Sequence, residues 1–243
     1  MEKRINLQNV GVSLRSNNIF QNITFSVLEG QDVCLIGLEG VGKSLLLKAI
    51  LGNVTFSGEI VRDAPCRGVL SLHKRFSSTI MDFLDYFTLN EKDKLLVHQF
   101  LKLKNLQYSF QKLNSFFRLK VLILKEILYH PKFFFLDDIM YSLNLEQKKE
   151  IFDFLHKQNI TIFFVTSNME DLMFFPYCVV MGREGILIEG KTLLVLQEEK
   201  LLRRLGFSLP FYIDLSLQLK SYGLLESVIT NGRELTNRLW KSN

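Results

Sequence analysis

The chain has 243 residues, a net charge of +5 and a hydrophobic share of 47% that includes 21 Phe. This length and composition favour a well-packed globule with one large domain, or one domain and a small appendage. The three cysteines, Cys34, Cys66 and Cys178, lack the spacing of a zinc site and suggest a reducing compartment. We expect no signal peptide and no membrane-spanning helix, because no apolar run reaches about 18 residues.

The first third of the chain is predicted to be mainly β-structure that leads into one helix. Apolar and polar residues alternate in two early segments, and a short apolar run up to Gly37 is typical of a fully buried strand. A helical pattern begins at Lys43 and ends before Gly52. The predicted strands of this region are 4–14, 19–28, 33–37, 56–61 and 68–72.

From residue 79 onwards, helical patterns alternate with short apolar strands. Leu and Phe recur every three or four residues over 79–111, and a second helix is expected over 115–129, before Pro131. The later predictions are strands over 133–137 and 161–167, helices over 145–158 and 169–175, a hairpin over 177–191 and broken helix after 194. This alternation predicts an α/β fold with a parallel sheet and a helical insertion near 79–130.

The stretch GLEGVGKS, residues 37–44, lies between a predicted buried strand and a predicted helix. This is the context of the phosphate-binding pattern G-x-x-x-x-G-K-[ST], whose glycines let backbone N–H groups approach phosphates closely. The helix N-terminus adds partial positive charge. Lys43 would reach the β- and γ-phosphates, and Ser44 would hold Mg²⁺. The candidate nucleotide-binding residues are Gly37, Glu39, Gly40, Val41, Gly42, Lys43, Ser44 and Leu45.

Two carboxylates end the apolar run at 133–137. Asp137 would orient the magnesium ion through a water molecule, together with Ser44. Asp138 is the candidate general base for an attacking water. An Asp-Asp pair that only caps a turn is the alternative interpretation. The two motifs together predict ATP and Mg²⁺ as ligands.

With these motifs in place, the chain resembles the ATPase subunits of the ATP-binding cassette (ABC) family over nearly its whole length. The segments that carry the resemblance are NVGVSLRSNNIFQNITFSVLEGQDVCLIG, SGEI, LNSFFRLKVLILKEILYHPKFFFLDD and MEDLMFFPYCVVMGREGILIEGK. The resemblance implies the P-loop nucleotide triphosphatase fold of ABC ATPases, with a RecA-like core sheet, an N-terminal antiparallel β subdomain and a helical insertion. It implies a nucleotide-binding domain at 1–200, with its helical subdomain at about 79–130.

Residues 201–243 narrow the resemblance to the ATPase subunits of energy-coupling factor transporters. Those subunits have a C-terminal extension that reads as a short helix, Gly-x-x-x-Pro, a helix, a Gly and a final helix opened by Thr and Glu. The matching residues are Gly206, Pro210, Leu215, Leu219, Gly223, Thr230, Glu234 and Leu235. The resemblance therefore implies a helical extension that takes part in subunit contact, and a generic amphipathic tail is the alternative.

The chain departs from the family pattern at several catalytic positions. In place of the signature motif L-S-G-G-Q, Asn114 stands for the serine, and a Cβ at Ser115 and a phenyl ring at Phe116 replace the two glycines. These groups would obstruct the close backbone approach that glycine permits. The other departures are Phe117 for the glutamine, Leu14 for the adenine-stacking aromatic residue, Leu72 or His73 for the γ-phosphate-sensing glutamine, Asp138 for the catalytic glutamate, Asn144 for the inter-subunit aspartate and Ser167 for the switch histidine.

The resemblance implies a peripheral subunit at the cytoplasmic face of the cell membrane, in an importer of vitamins or metal ions. The departures predict that this subunit binds Mg-ATP with weak or no hydrolysis of its own. Its implied partners are a sister ABC ATPase in a heterodimer, a transmembrane coupling subunit and a substrate-binding membrane subunit. Because the family's sites form between two subunits, we expect any hydrolysis on the sister's phosphate loop, and we expect a homodimer to be nearly inactive.

Three other functions are open to such a sequence. A non-transport ABC-fold regulatory or assembly protein would suit the same departures. A small kinase would share only the phosphate loop, and the long match beyond that loop counts against it. The pI near 9.0 permits a nucleic-acid partner. We expect none, because no aromatic platform with interleaved basic residues is present.

Overall fold

The computed structural model describes residues 3–15, 17–72 and 78–241, which fold around two β-sheets. Of the two residues expected at the γ-phosphate-sensing position, His73 lies outside the described residues. Leu72 is half-buried and packs against the larger of the cores.

The N-terminal sheet is antiparallel, with the strand order β2-β1-β4. Side chains alternate between the two faces along parts of each strand, and a register shift between Leu7 and Val10 lets both of these residues be fully buried. The strands are β1 Arg4–Leu14, β2 Asn17–Leu28 and β4 Ser57–Arg62. The predicted strands over 4–14, 19–28 and 56–61 are confirmed, with small changes at their ends.

The second sheet has six strands in the order β5-β6-β7-β3-β8-β9, of which only β9 runs antiparallel to its neighbour. Every residue of β3, β6 and β7 is buried, which explains why their sequences are apolar without alternation. The strands are β3 Val33–Ile36, β5 Cys66–Val69, β6 Phe133–Asp137, β7 Thr161–Thr166, β8 Tyr177–Met181 and β9 Ile186–Lys191. The loops that follow β3, β6 and β7 therefore meet at one edge of the sheet, where ligands of open α/β sheets bind.

Strand β5 begins earlier than the predicted range 68–72. Its register follows its parallel partner β6, with Cys66 opposite Phe133 and Gly68 opposite Phe135. A Cβ on Gly68 would lie 2.5 Å from the Phe135 carbonyl oxygen, so glycine permits this close approach.

Two cores cover the opposite faces of the six-stranded sheet. The core between the sheets includes the predicted helix α1, Lys43–Ile50, and the alternate β6 residues Phe133 and Phe135. The larger core includes α4, Ser115–Ile127, and α5, Leu145–Lys157. These three helices confirm the corresponding helical patterns.

The segment between β5 and β6 is helical but interrupted. Thr79 and Asp82 form a capping box that starts a short helix, and Asn90 caps the next one. Asp85 and Lys102 have left-handed backbones, with φ of 52° and 54°, and lie at the breaks. The elements are α2 Ile80–Phe83, α3 Glu91–Leu101 and 3₁₀ turns at Tyr86–Thr88 and Phe110–Lys112. The helical pattern over 79–111 is therefore confirmed only in part.

In the described part of the chain, four helices follow the predicted hairpin, which β8 and β9 confirm. They are α6 Thr192–Gln197, α7 Glu199–Arg204, α8 Phe211–Ser221 and α9 Gly232–Lys241. Leu202 and Ile213 are buried in the larger core, whereas α8 and α9 enclose a separate small cluster around Ile229. Because α7 crosses residue 200, the division into 1–200 and 201–243 stays a prediction.

Candidate nucleotide-binding site

The loop between β3 and α1 has the backbone that a phosphate cradle requires. Gly40 and Gly42 have φ of 78° and 99°, in the left-handed region that favours glycine. Gly42 is the N-cap of α1, and a Cβ there would lie 2.6 Å from the Phe20 ring. The N-cap makes no side-chain hydrogen bond, so no side chain of the loop takes the first amides of α1 at this position.

Lys43 folds back over this loop and is only 8% exposed. Its Nζ donates to the carbonyl oxygens of Gly37 at 2.6 Å and Leu38 at 3.0 Å. An ammonium group carries three protons, so one is left for a phosphate oxygen. Burial lowers the pKa of Lys43, and the carboxylates of Asp138 and Asp137 oppose this shift.

Ser44 and Asp137 form the candidate magnesium site. The Ser44 Oγ donates to the Asp137 Oδ1 at 3.0 Å, and Asp137 is 8% exposed. Burial raises the pKa of Asp137, the Ser44 hydrogen bond opposes the shift, and the charge of Asp138 adds to it. Hydroxyl and carboxylate oxygens are ligands that Mg²⁺ prefers, and its charge would offset the cost of burying the carboxylate. The donor set therefore fits Mg²⁺.

The candidate base Asp138 is held by two contacts from the end of β7. It has a left-handed backbone, with φ of 39°, which is uncommon for a residue with a side chain. Its N–H donates to the Val165 carbonyl oxygen at 2.8 Å, and its Oδ2 accepts a hydrogen bond from the Ser167 Oγ at 3.0 Å. Ser167, which the resemblance predicts to stand at the switch position, thus contacts the candidate base within the same chain.

These side chains line an open cleft of about 410 Å³. Its lining residues are Ile19, Glu39, Gly40, Gly42, Lys43, Ser44, Leu45, Asp137, Asp138 and Ser167. Of the remaining predicted residues, Val41 is buried beneath the loop in the core, and Gly37 supplies the carbonyl that Lys43 binds. The sequence pattern had no signal for Ile19, and the lining does not include Leu14, which is 44% exposed at the end of β1.

The turn LNSFF, residues 113–117, is absent from this lining and makes its contacts elsewhere in its own chain. The Asn114 Oδ1 accepts a hydrogen bond from the Phe117 N–H at 2.9 Å, which makes Asn114 the N-cap of α4. The Nζ of Lys120 lies 5.1 Å from the centroid of the Phe116 ring and 5.6 Å from that of Phe117. Phe100 supplies a third ring at 4.6 Å.

Lys120 therefore explains why two phenylalanines begin this helix. It is 1% exposed and pairs with Glu150 at 3.0 Å. Burial lowers the pKa of Lys120, and the hydrogen bond with Glu150 opposes the shift. Aromatic faces within about 6 Å stabilise a cation electrostatically. The Phe116 and Phe117 rings thus enclose a buried charge of their own chain.

Asn144, which the resemblance predicts to stand at the inter-subunit position, caps α5. Its side chain accepts from the Gln147 N–H at 2.9 Å, and the Gln147 side chain accepts from the Asn144 N–H at 3.2 Å. The exposed side chains of Tyr141 and Leu145 flank this cap. Asn144 therefore has a structural partner within its own helix.

A buried ion pair between Lys148 and Asp171 lies behind Ser167 and was not predicted. The Lys148 Nζ and the Asp171 Oδ1 are 2.5 Å apart. A signal was present, because Lys148 occupies the apolar face of α5 with Ile151 and Phe152, where a charge needs a partner.

Comparisons with known proteins match this chain to ATP-binding proteins of ABC transporters. A family model for the ABC transporter matches residues 20–141. The chain is 23% identical to the energy-coupling factor transporter ATP-binding protein EcfA of Malacoplasma penetrans. The alignment has 286 positions, gaps included, and covers 99% of this chain and 94% of that protein. It is 26% identical to the zinc import ATP-binding protein ZnuC of Wigglesworthia glossinidia brevipalpis over 174 residues, which cover 65% of this chain and 71% of that protein.

Solved structures share the fold. An ATP-bound bacterial Atm1-family ABC exporter matches 84% of this chain with a TM-score of 0.76 and 16% identity, and the match spans 41% of that protein. An inward-facing putative metal-chelate type ABC transporter matches 82% of this chain and 88% of its own, with a TM-score of 0.70 and 22% identity. Within the described residues, no helix has the length and apolarity needed to cross a bilayer.

The predicted ABC ATPase fold is confirmed by the family match and by these structures. Proteins of this family generally bind ATP with Mg²⁺. The chain therefore belongs to the ABC transporter family, as one of its ATP-binding proteins.

Proposed function

We propose that this chain is the peripheral nucleotide-binding subunit of an ABC importer of the energy-coupling factor type, at the cytoplasmic face of the membrane. The observation that carries the proposal is the arrangement of Lys43, Ser44 and Asp137 around a glycine loop that leaves the start of α1 uncapped. The similarity to EcfA over 99% of the chain supports the transporter type. The similarity to ZnuC keeps metal ions, beside vitamins, among the proposed substrates.

In this proposal the chain holds Mg-ATP with residues that already contact each other. Loop amides between Gly37 and Ser44 face the phosphates, the third proton of Lys43 meets a phosphate oxygen, and Ser44 and Asp137 take the cation. Asp138 is the only base that we assign to the site. Its side chain is one methylene shorter than the glutamate of the family pattern, and a small misplacement of a reacting group can cost about a hundredfold in rate.

The proposal includes weak or no hydrolysis at the chain's own phosphate loop. Two features support it: Ser167 offers Asp138 a neutral hydroxyl in place of an imidazole, and the Asn114 side chain uses a first-turn amide of α4 for its own cap. We expect a sister ATPase to supply the missing groups, in a heterodimer that works with a transmembrane coupling subunit and a substrate-binding membrane subunit. Residues 201–243 would contribute to subunit contact, since Phe211 and Tyr222 of the α8 region are 64% and 80% exposed.

The test is affinity purification of the tagged chain from membranes, with identification of the proteins that accompany it. We expect a sister ATPase and two membrane proteins, and Mg-ATP binding by the assembled complex in a calorimeter. A complex without any membrane protein would support a regulatory or assembly function instead. ATP turnover by the chain alone at an ordinary rate, on the order of 1–10 per second, would contradict the proposed weak hydrolysis.

A further inference from the structure

A network of buried and partly buried hydrogen bonds reaches from α5 to the turn that carries Ser167. Lys148 and Asp171 are 4% and 2% exposed, and their Nζ and Oδ1 atoms are 2.5 Å apart. The other carboxylate oxygen of Asp171 accepts from the Thr166 Oγ1 at 2.8 Å. The Thr166 Oγ1 in turn accepts from the Asn168 N–H at 3.0 Å. The residues on both sides of Ser167 are therefore tied to one carboxylate.

The direction of each hydrogen bond in this network is fixed by the first donor. The Asn168 N–H can only donate, so the Thr166 hydroxyl accepts from it and donates its own proton to Asp171. Asp171 then accepts at both oxygens, and Lys148 is the cation that contacts it. Without Lys148, the buried carboxylate of Asp171 would lose the partner that compensates it and would leave its position. The Thr166 hydroxyl would then lose the acceptor that orients it.

We propose that Lys148, acting through Asp171 and Thr166, is a positioning residue that holds Ser167 against Asp138 beside the terminal phosphate. This inference rests on the proposed function, since it assigns a role at the same nucleotide cleft. Lys148 lies one helical turn from the start of α5, where its N–H donates to the Asn144 carbonyl oxygen at 3.0 Å. The network thus joins the start of α5 to the nucleotide cleft.

The test compares three variants in the full chain: Lys148→Arg, Lys148→Met and the double variant Lys148→Met with Asp171→Leu. Removing one partner of a buried ion pair is strongly destabilising, whereas replacing both by apolar residues is often neutral. The double variant therefore keeps the fold while it removes the hydrogen-bond chain. Lys94→Met, which breaks a surface pair with Glu91, is the matched control for losing a lysine.

Two readouts separate positioning from folding. In the double variant we expect the Asn168 amide to exchange its hydrogen about fivefold faster, because one hydrogen bond of about 1 kcal/mol is lost. We also expect the preference for ATP over ADP to fall severalfold, with the affinity for ADP unchanged, because in the proposed function Lys43 and Ser44 hold the phosphates of ADP. Lys148→Arg and Lys94→Met should keep both properties.

A folded double variant with slow Asn168 exchange and an unchanged preference for ATP would overturn the inference. If the unaltered chain binds neither nucleotide, then the proposed function fails. The exchange of Asn168 still decides in that case whether Lys148 holds the turn, so the two failures are distinguishable.

Discussion

Two helix N-termini of this chain, at α1 and at α4, are built in opposite ways. Before α1, the loop ends in Gly42 without any side-chain cap, and Lys43 and Ser44 follow with their polar groups at an open cleft. Before α4, the Asn114 carboxamide caps the helix, and Phe116 encloses Lys120 of the same chain. A helix start left without a cap needs a ligand or water to satisfy its amides, whereas one capped by its own side chain does not. We therefore infer that only the first one serves as a phosphate site of this chain.

Lys43→Ala tests the open helix start and has the largest expected effect. The variant loses a hydrogen bond between charged groups, worth about 1.5–3 kcal/mol, so Mg-ATP should bind about 10- to 100-fold more weakly. Calorimetry on the assembled complex measures the change. Lys132→Ala, which breaks a surface pair with Glu29, is the control and should bind normally. Equal affinity in both variants would remove the distinction between the two helix starts.

The capped helix start is tested by the double variant Phe116→Gly with Phe117→Gln, which introduces the residues of the family motif. It removes two aromatic faces from Lys120 and places a glycine in a helix, so the free energy of unfolding should fall by about 2 kcal/mol. Denaturant titration measures this, with the exposed Phe87→Ala as control. Unchanged stability would mean that the rings do not stabilise the buried charge.

The double variant Asp138→Glu with Ser167→His sharpens the comparison within the open site. If the short carboxylate and the neutral hydroxyl limit hydrolysis on this loop, ATP turnover by the complex should rise by about tenfold or more. Steady-state turnover of the complex is the measurement, and each single variant serves as a control. No gain in the double variant would place the limit elsewhere, with the capped turn as the next candidate.

Acidification should weaken the magnesium-dependent part of nucleotide binding, the smallest of these effects. Burial raises the pKa of Asp137, so protons compete with Mg²⁺ at a higher pH than for an ordinary carboxyl group. The contribution of Mg²⁺ is complete above the raised pKa and is lost as the pH falls through it. The ratio of ATP affinities with Mg²⁺ and with EDTA measures this contribution. Asp137→Asn should make that ratio low and independent of pH, and a flat ratio in the unaltered chain would argue against Asp137 as a magnesium ligand.

Local patterns predicted most of the elements that position the site. The buried strand before Gly37, the helix that begins at Lys43 and the apolar strand that ends at Asp137 are where the sequence indicates them. Each of these elements depends on a run of apolar residues or on a capping residue, and both are visible in a short segment of the sequence. The interrupted helix over 79–111 was less predictable, because Leu and Phe spacing does not reveal left-handed residues such as Asp85 and Lys102.

The contacts between residues far apart in the sequence could not be predicted, because no short segment of the sequence contains both partners. In the sequence, Phe116 is interpreted only as a group that obstructs the turn, whereas the structure places its ring beside the buried Lys120, which also contacts Phe100. In the sequence, Ser167 is interpreted only as a replacement for a histidine, whereas in the structure its hydroxyl donates to Asp138. Both contacts depend on how α4, α5 and β7 pack, and packing is set by the whole core.

The amino-acid order by itself determined that a glycine loop, a lysine and a serine open one helix, and that two carboxylates end one apolar strand, since these features are local in the chain. Tertiary structure alone decided that Ser44 meets Asp137, that Asp138 meets Ser167 and that Lys148 is buried with Asp171 behind them. The physical reason is that each charged or hydroxyl group is paired with a residue on a different element of the fold. The strand order β6-β7-β3 brings the three loops to one edge from positions far apart in the chain.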